Sequence, residues 1–140
     1  MSRDDVEVLR RLFDAFNSED IERIVAFAHP ELLIEIPPEI SAEPDVYRGQ
    51  DGMRRYFESF QDAMEEIRFH AERFWDAGQS VVVALRVEAK GRMTAIPVQQ
   101  RSASVWTVRD GKVIRIRAYP SPTDALEAVG LAEHETSEEY

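Results

Sequence analysis

Two runs of alternating side chains decide the fold: PVQQRSASVWTVR at residues 97–109 and KVIRIRAY at residues 112–119. A period of two is typical of β-strands, because successive side chains point to opposite faces of a sheet. The turn between the runs, Asp110-Gly111, is among the dipeptides that close tight hairpins. The stretch therefore predicts a long antiparallel hairpin that presents one face to a core.

Further strands are predicted on the N-terminal side of this hairpin. Residues 67–75 and 80–90 form a second pair, and residues 32–36 form a short strand that ends at Pro37. A polar loop is predicted from there to Gly49. We expect these strands to form one antiparallel sheet.

Helical spacing of apolar residues predicts four helices. The first runs from Ser2 to Ser18, the second from Asp20 to Pro30, and the third is capped by Asp51. A short fourth helix follows Ser121. This order predicts an α+β fold in which the helices cover one face of the sheet.

The chain is predicted to form a single domain over residues 1–131. A domain of about 100–200 residues is a common size for one core. Residues 132–140 hold four glutamates and almost nothing to bury, so this acidic tail is predicted to be disordered.

Composition narrows the classes of function. The chain has 17 Lys and Arg against 27 Asp and Glu, and its net charge of −10 disfavours nucleic acid and anionic lipid as partners. Cysteine is absent, which excludes thiol nucleophiles, disulfides and Cys-ligated metal sites. The longest apolar run, at 81–85, is too short for a membrane span, and the first residues do not resemble a signal peptide. We therefore expect a cytoplasmic protein with no membrane partner and no cofactor.

Five short motifs mark the connections between the predicted elements. In order they are Phe16-Asn17-Ser18-Glu19-Asp20, His29-Pro30-Glu31, Tyr47-Arg48-Gly49 with Gly52, VWTVRDGKV at 105–113 and ALEAVGL at 125–131. Together they resemble the SnoaL-like branch of the nuclear-transport-factor-2-like superfamily over residues 4–131. The resemblance implies a curved sheet wrapped by three N-terminal helices into a cone around an apolar pocket, with a short C-terminal helix. It also implies a homodimer through the outer face of the sheet.

The resemblance does not imply one activity. The superfamily includes polyketide cyclases, ketosteroid isomerases, epoxide hydrolases, dehydratases and members that only bind or scaffold. The isomerase base would stand at Ile36, the acid of isomerases and SnoaL-type cyclases at Ser104, and the epoxide-hydrolase acid at Ala118. The oxyanion tyrosine of the isomerases would lie near Leu12. Since none of these groups is present, the known acid–base chemistries are not expected to carry over, and no catalytic residue is assigned.

Strand parity selects the polar residues that face the pocket. Gln100, Ser102, Ser104 and Trp106 share one face of the long strand. The three smaller polar side chains would be satisfied by a ligand, by water or by one another. Trp106 would either form a wall or aim its indole N–H at a ligand, and Tyr56 of the third helix would either pack in the core or point its phenol into the pocket.

The opposite face of the sheet is charged. It carries Arg86, Glu88, Arg101, Arg109, Arg115 and Arg117. An interface between two copies would use Val105, Val113 and Tyr119 as its apolar part, and the alternative is a solvated face with cross-strand ion pairs. The same parity assigns Ile114 to the pocket.

Glu35 is the one acid near the mouth of the pocket. Parity puts it opposite Ile34 and Ile36, which favours an ion pair or an interface contact. His29 is predicted to lie at the end of the second helix, before Pro30. The three histidines of the chain are scattered and lack a facing carboxylate pair, so no metal site is predicted.

Three functions remain open at this point. The favoured one is a dimeric protein that binds a small apolar or aromatic molecule through Tyr56 and the four polar residues of the long strand. The second is an enzyme of the cyclase, isomerase or epoxide-hydrolase kind that uses an acid away from the usual positions, and Glu35 is the most plausible candidate for this acid. The third is a structural protein whose cone is filled by its own side chains.

Overall fold

The predicted long hairpin forms the centre of the structure, a computed structural model that describes residues 3–37, 45–131 and 137–138. β5 (Pro97–Arg109) and β6 (Lys112–Tyr119) pair around Asp110-Gly111, where both residues have a positive φ. This is the backbone conformation that a tight hairpin turn requires. β4 (Val81–Gly91) and β3 (Met64–Asp76) extend the sheet beyond β5.

The other half of the sheet contains a parallel pair. β1 (Ala28–Ile36) runs parallel to β6, and β2 (Asp45–Arg48) pairs antiparallel with β1. The sheet is therefore mixed, with the order β2-β1-β6-β5-β4-β3-β7. β2 lies within the segment that was predicted to be a polar loop, so that prediction is wrong for these four residues.

The C-terminal edge strand falls in the predicted disordered tail. β7 (Ser137–Glu138) pairs with β3 at Trp75 and Phe74. At these two residues the chain forms a strand, where the sequence analysis predicted disorder. The rest of the tail lies outside the described residues.

Three helices lie on the concave face: α1 (Arg3–Ser18), α2 (Ile21–Val25) and α3 (Gly49–Ala63). α4 (Pro122–Ala128) packs on the opposite face, with Ser121 capping it as predicted. The predicted cap of the first helix at Ser2 lies outside the described residues. This arrangement confirms the α+β fold, with three N-terminal helices on a curved sheet and a short C-terminal helix.

The core has one part on each face of the sheet. The larger part joins the helices to the concave face and includes Leu12 and Ile34, both fully buried. On the outer face, Ala125 and Leu126 of α4 pack against Trp75. Apolar burial on both faces fixes the sheet between the two helical layers.

The second helix is shorter than predicted. Asp20 caps α2 as expected, but α2 ends at Val25, well before the proline that was predicted to stop it. The backbone carbonyl of Phe27 already accepts a hydrogen bond from β6. His29 therefore lies in β1, so its predicted place at a helix end is wrong; its Nδ1 accepts a hydrogen bond from the N–H of Glu31 at 3.0 Å.

The third helix starts three residues earlier than predicted, with Arg48 at the cap position. α3 follows β2 directly, and Asp51 lies in the first turn instead of at the cap. Gly49, with φ +65°, makes the turn from strand to helix in a conformation that other residues adopt only with strain. This short connection holds α3 against β2.

A bulge in β6 changes which of its residues face the core. Thr107 pairs with Arg115 and Val108 with Val113, so Ile114 has no partner on β5. One extra residue shifts the alternation by one position. Val113, predicted for the outer interface, is fully buried in the larger core, and Ile114, predicted for the pocket, does not line the cavity. Both predictions are wrong because parity was carried through the bulge.

Candidate functional site

A cavity of about 320 Å³ opens between the concave face of the sheet, α1, α3 and β2. Its walls are mainly aromatic and aliphatic. The lining residues are Phe16, Ile36, Tyr47, Tyr56, Phe57, Ser59, Phe60, Ala63, Met64, Phe69, Leu85, Val87, Gln100, Ser102, Ser104, Trp106, Ile116 and Ala118. Ligand pockets in proteins are about 300–1,000 Å³, so this cavity is of ligand-binding size.

All five residues predicted to contact a ligand line this cavity: Tyr56, Gln100, Ser102, Ser104 and Trp106. The four on β5 share a face because no bulge interrupts the pairing of β5 with β4 over this stretch. Their exposure falls along the strand, from Gln100, which is exposed at the mouth, to Ser104 and Trp106, which are 3% exposed at the floor. Their role as ligand contacts stays a prediction.

A hydrogen bond at the floor decides between the two roles considered for Trp106. Its indole Nε1 donates to the Ser104 Oγ at 2.7 Å. The ring packs edge-on against Phe13, with centroids 5.3 Å apart. The indole therefore forms part of the cavity wall, and its N–H is engaged by the protein itself.

Two phenols lie together in the upper wall. The rings of Tyr47 and Tyr56 are 5.2 Å apart, and Tyr56 also stacks edge-on against Phe57 and Phe60. Burial raises the pKa of the Tyr56 phenol well above its ordinary value, and the neighbouring Tyr47 phenol raises it further. Tyr56 is therefore a neutral hydrogen-bonding group throughout the physiological pH range.

This burial predicts a pH dependence of stability. The folded-state pKa of Tyr56 exceeds the unfolded value of about 10, so its stabilising contribution is complete below pH 10 and is lost as the pH rises further. Tyr56→Phe should reduce the loss of unfolding free energy between pH 9 and pH 11 by about 1 kcal/mol. Urea unfolding at several pH values measures this slope, and parallel slopes for the two proteins would contradict the prediction.

The β4–β5 connection lies against the end of α3, next to the cavity residue Met64. Arg92 holds this connection against the end of α3, with its Nε donating to the Gln61 carbonyl and its Nη2 to the Met64 carbonyl, at 3.0 and 3.1 Å. A second, small pocket of about 40 Å³ shares Phe60, Met64, Val87 and Gln100 with the cavity wall and reaches Val98. In this part of the chain Ile96 and Val98 are exposed.

The positions of the family acids all fall within the cavity wall. Ile36, Ser104 and Ala118 line it, as the resemblance implied. No carboxylate stands among the described residues that line the cavity. Glu35 points to the other face of β1, where its Oε1 accepts hydrogen bonds from the Arg115 Nε and Nη2 at 3.0 and 2.7 Å. This is the ion pair that parity favoured.

Tyr47 is a cavity residue that the sequence analysis missed. It lies on β2, in the segment interpreted as a loop. Gly52 lets α3 approach this strand closely, since a Cβ there would lie 2.8 Å from the Tyr47 carbonyl carbon. The available signal was the neighbouring β-branched Val46 and aromatic Tyr47, residue types that are enriched in strands, but two residues are too few to predict a strand.

Asn17 is a second missed residue, and it acts on the cavity indirectly. Its Nδ2 donates to the Phe69 carbonyl at 3.0 Å, and its Oδ1 accepts from the Phe69 N–H at 2.7 Å. The side chain thus takes the place of a neighbouring strand along the edge of β3. It positions Phe69, whose ring lines the cavity.

The outer face of the sheet carries cross-strand ion pairs. Arg86 on β4 pairs with Glu72 on β3, and the His70 Nε2 on β3 lies 3.5 Å from Glu88 on β4; Arg86 also pairs with Glu88 along its own strand. Arg117 stacks over the Tyr119 ring at 5.4 Å. The predicted pairing of two copies through this face stays a prediction.

Neither a membrane-spanning helix nor a metal-ligating cluster is present in the part of the chain that the structure describes. None of its helices is both long and apolar enough to cross a membrane. None of its His, Asp and Glu side chains form a group of three placed to hold a metal ion.

Comparison with known sequences gives one family and one curated relative. The sequence model of the SnoaL-like domain family matches residues 9–116. The uncharacterized protein YesE of Bacillus subtilis (strain 168) is 23% identical over 134 residues, which span 94% of this chain and 91% of YesE.

Comparison with solved structures gives the same fold. SalBIII, described as an epoxide hydrolase/cyclase-like enzyme in pyran ring formation of salinomycin, is 26% identical with a TM-score of 0.71, covering 86% of this chain and 92% of its own. TerC, co-crystallised with polyporic acid, is 20% identical with a TM-score of 0.73, covering 90% and 98%. These similarities confirm the predicted fold.

Proposed function

This chain belongs to the SnoaL-like domain family, and from that premise we propose that it binds a small, neutral and mostly apolar molecule in its cavity. The observation that carries the proposal is the cavity itself, of about 320 Å³ and open at one end. Seven of its eighteen lining residues are aromatic. Concave apolar pockets with a few polar groups are the usual form of small-molecule sites.

The polar groups support a ligand rather than a filled core. Gln100 and Ser102 make no side-chain hydrogen bond to any residue that the structure describes. Both lie on the open part of the cavity wall, where a ligand can supply hydrogen-bond partners. A ligand passing along β5 would meet them in order from the mouth to the floor.

The uncharged lining of the cavity supports a neutral ligand. No Lys, Arg, Asp or Glu is found among the described residues of the cavity wall. A charged ligand would lose its hydration there without gaining an opposite charge, at a cost of several kcal/mol. A neutral aromatic or polycyclic molecule loses little on transfer and gains contact with the rings.

The other two functions are less well supported. A catalytic role for Glu35 lacks a geometric basis, because its carboxylate pairs with Arg115 on the face opposite to Ile36. A structural protein with a filled cone would leave no room for about ten ligand atoms, whereas this cavity is within the range of known ligand sites. The similarity in fold to TerC, which was crystallised with a small molecule, agrees with binding.

Native mass spectrometry tests the proposal directly. The protein purified from its native host is compared before and after denaturation, and we expect a small molecule to be released in stoichiometric amount. In parallel, the neutral dye N-phenyl-1-naphthylamine should fluoresce on binding to the purified protein. A protein that carries no molecule and does not bind the dye would contradict the proposal.

A separate prediction tests whether the polar residues of β5 contact the ligand. The double variant Gln100→Leu/Ser104→Val should raise the dissociation constant for the released molecule at least fivefold, since it removes about two hydrogen bonds of about 0.5–1.5 kcal/mol each. The matched control is Gln99→Leu/Thr107→Val, which makes similar changes on the other face of β5. Equal dissociation constants for the two variants would show that the β5 polar residues are not the contacts.

A further inference from the structure

The small pocket of about 40 Å³ lies beside the cavity on the concave face of the sheet. The pairing of β4 with β5 shows how the two spaces are arranged. Val87 and Gln100 are paired across these strands and line both spaces, whereas the next pair, Ala89 and Val98, lines only the small pocket. Neighbouring pairs on one face lie about 7 Å apart along a strand. The small pocket, here called the side pocket, therefore continues the cavity wall by one pair of residues.

A bulge in β3 makes room for the side pocket. Between Glu65 and Arg68, β3 has one residue more than β4, and Glu66 has a positive φ of +54°. An extra residue of this kind bends the strand. Ile67, which lies in the bulge, is buried and lines the side pocket. The residue of β4 that faces the bulge is Ala89, whose methyl group fills little of the space.

The lining of the side pocket is apolar apart from the amide of Gln100. No charged side chain stands among the described residues that line it. A water molecule there would meet this single polar side chain, whereas buried waters make about three hydrogen bonds. Since protein atoms pack closely and empty space forfeits dispersion contacts, an apolar group fills such a space more favourably than water does.

We infer that the side pocket binds a short alkyl substituent of the ligand. This inference rests on the proposed function and adds the kind of ligand and its orientation. A water-sized group needs about 10–15 Å³ of free space, so the side pocket accommodates about three carbon atoms and is too small for an aromatic ring. Gln100 and Val98 are exposed, so the substituent belongs to the end of the ligand that stays near the mouth.

The two spaces favour different parts of one ligand. The cavity is lined by many aromatic rings and suits a flat aromatic skeleton. Most of the side-pocket wall is aliphatic and suits a saturated chain, since Ile67, Val87, Ala89 and Val98 contribute to it. A charged substituent would lose its hydration there without gaining an opposite charge. The expected ligand is therefore a neutral aromatic molecule that carries an alkyl branch of about three carbons.

The test uses probes that differ only in chain length. They are the 2-alkoxynaphthalenes with methoxy, ethoxy, propoxy, butoxy and hexyloxy groups, and their dissociation constants are measured by displacement of N-phenyl-1-naphthylamine. In the wild type, each added carbon up to propoxy should tighten binding about fourfold, so that the propoxy ether binds about fifteenfold more tightly than the methoxy ether. The longer chains should add less than about twofold, because they extend beyond the side pocket.

Filling the side pocket should remove this preference. In Ala89→Leu, the ratio between the dissociation constants of the methoxy and propoxy ethers should fall from about fifteenfold to less than about twofold. The matched control is Ala118→Leu, which adds the same bulk to an alanine that lines the cavity but not the side pocket. This control should weaken both ethers alike and keep the ratio.

A second variant covers the case in which Ala89→Leu does not fold. Val98 is 38% exposed, so Val98→Asp is expected to be tolerated, and it replaces part of the apolar wall by a carboxylate. We expect it to lower the same ratio by about threefold or more.

The outcomes separate the inference from the proposed function. The inference is wrong, while binding in the cavity stands, if the dye binds but chain length has no effect, if affinity rises evenly through the hexyloxy ether, or if the folded variants keep the wild-type ratio. It is equally wrong if the dye binds and none of the ethers displaces it. If the wild type binds neither the ethers nor the dye, the inference and the proposed function fail together.

Discussion

Replacement of Phe16 by alanine is expected to lower the free energy of unfolding by about 3–5 kcal/mol. The Phe16 ring is 4% exposed and contacts the rings of Phe13, Phe57 and Phe69 with centroids 5.5, 4.3 and 5.1 Å apart. Aromatic pairs contribute about 0.5–1.5 kcal/mol each beyond their buried area. The variant therefore loses packing energy together with several specific ring contacts. Urea unfolding followed by circular dichroism measures the change.

Phe13→Ala is the matched control for an effect on the cavity. Phe13 is 5% exposed and also lies on α1, but it is not a lining residue, whereas Phe16 is. Both variants should be destabilised by a similar amount. Only Phe16→Ala should enlarge the site, so that the three-ring ketone 2-acetylanthracene gains affinity relative to 2-acetylnaphthalene. A gain of the same size in Phe13→Ala would mean that the Phe16 ring does not limit the cavity.

Replacement of Asn17 by alanine is the second large effect that we expect, with a loss of about 2–3 kcal/mol of unfolding free energy. The side chain makes both hydrogen bonds of the Phe69 backbone on the open edge of β3. Without it, a partly buried N–H and C=O lose their partners. The strand next to the bulge at Glu66, where φ is +54°, then loses its lateral support. Thermal or urea unfolding measures the loss.

Ser18→Ala separates this role from a general effect at the end of α1. Ser18 bonds only locally, from its Oγ to the Ala15 carbonyl at 2.6 Å and from the Asp20 N–H. We expect its replacement to cost about 1 kcal/mol or less. If Asn17→Ala costs no more than Ser18→Ala, then the contact with Phe69 contributes little to stability. Hydrogen exchange at the Phe69 amide should be faster in Asn17→Ala alone.

The polar residues of β5 show what the alternation of side chains along a strand can predict and what it cannot. The alternation of Gln100, Ser102, Ser104 and Trp106 placed them on one face, and the structure puts all four in the cavity wall. The pattern could not decide what each group does there. Whether the Trp106 indole faces a ligand or Ser104 depends on its rotamer, which the packing of Phe13 from α1 determines.

The errors arose where distant segments meet. Tyr47 was taken for a loop residue because β2 exists only through its pairing with β1. His29 was assigned to a helix end because nothing local signals that β6 pairs with the chain from Ala28 onward. Asn17 was placed correctly at the end of the first helix, but the bonds of its amide to a strand 52 residues away were not predicted. Each of these depends on contacts of high sequence separation.

The sequence by itself determined the α+β class, the central hairpin, the face of β5 that lines the cavity and the absence of cysteine chemistry. These follow from period, turn chemistry and composition, which are properties of neighbouring residues or of the chain as a whole. Only the tertiary structure decided the parallel pairing of β1 with β6, the bulge that buries Val113, and the hydrogen bond that engages Trp106 with Ser104. Alternation along a strand is local, whereas register, bulges and hydrogen-bond partners are selected by the competition of all segments for the same core.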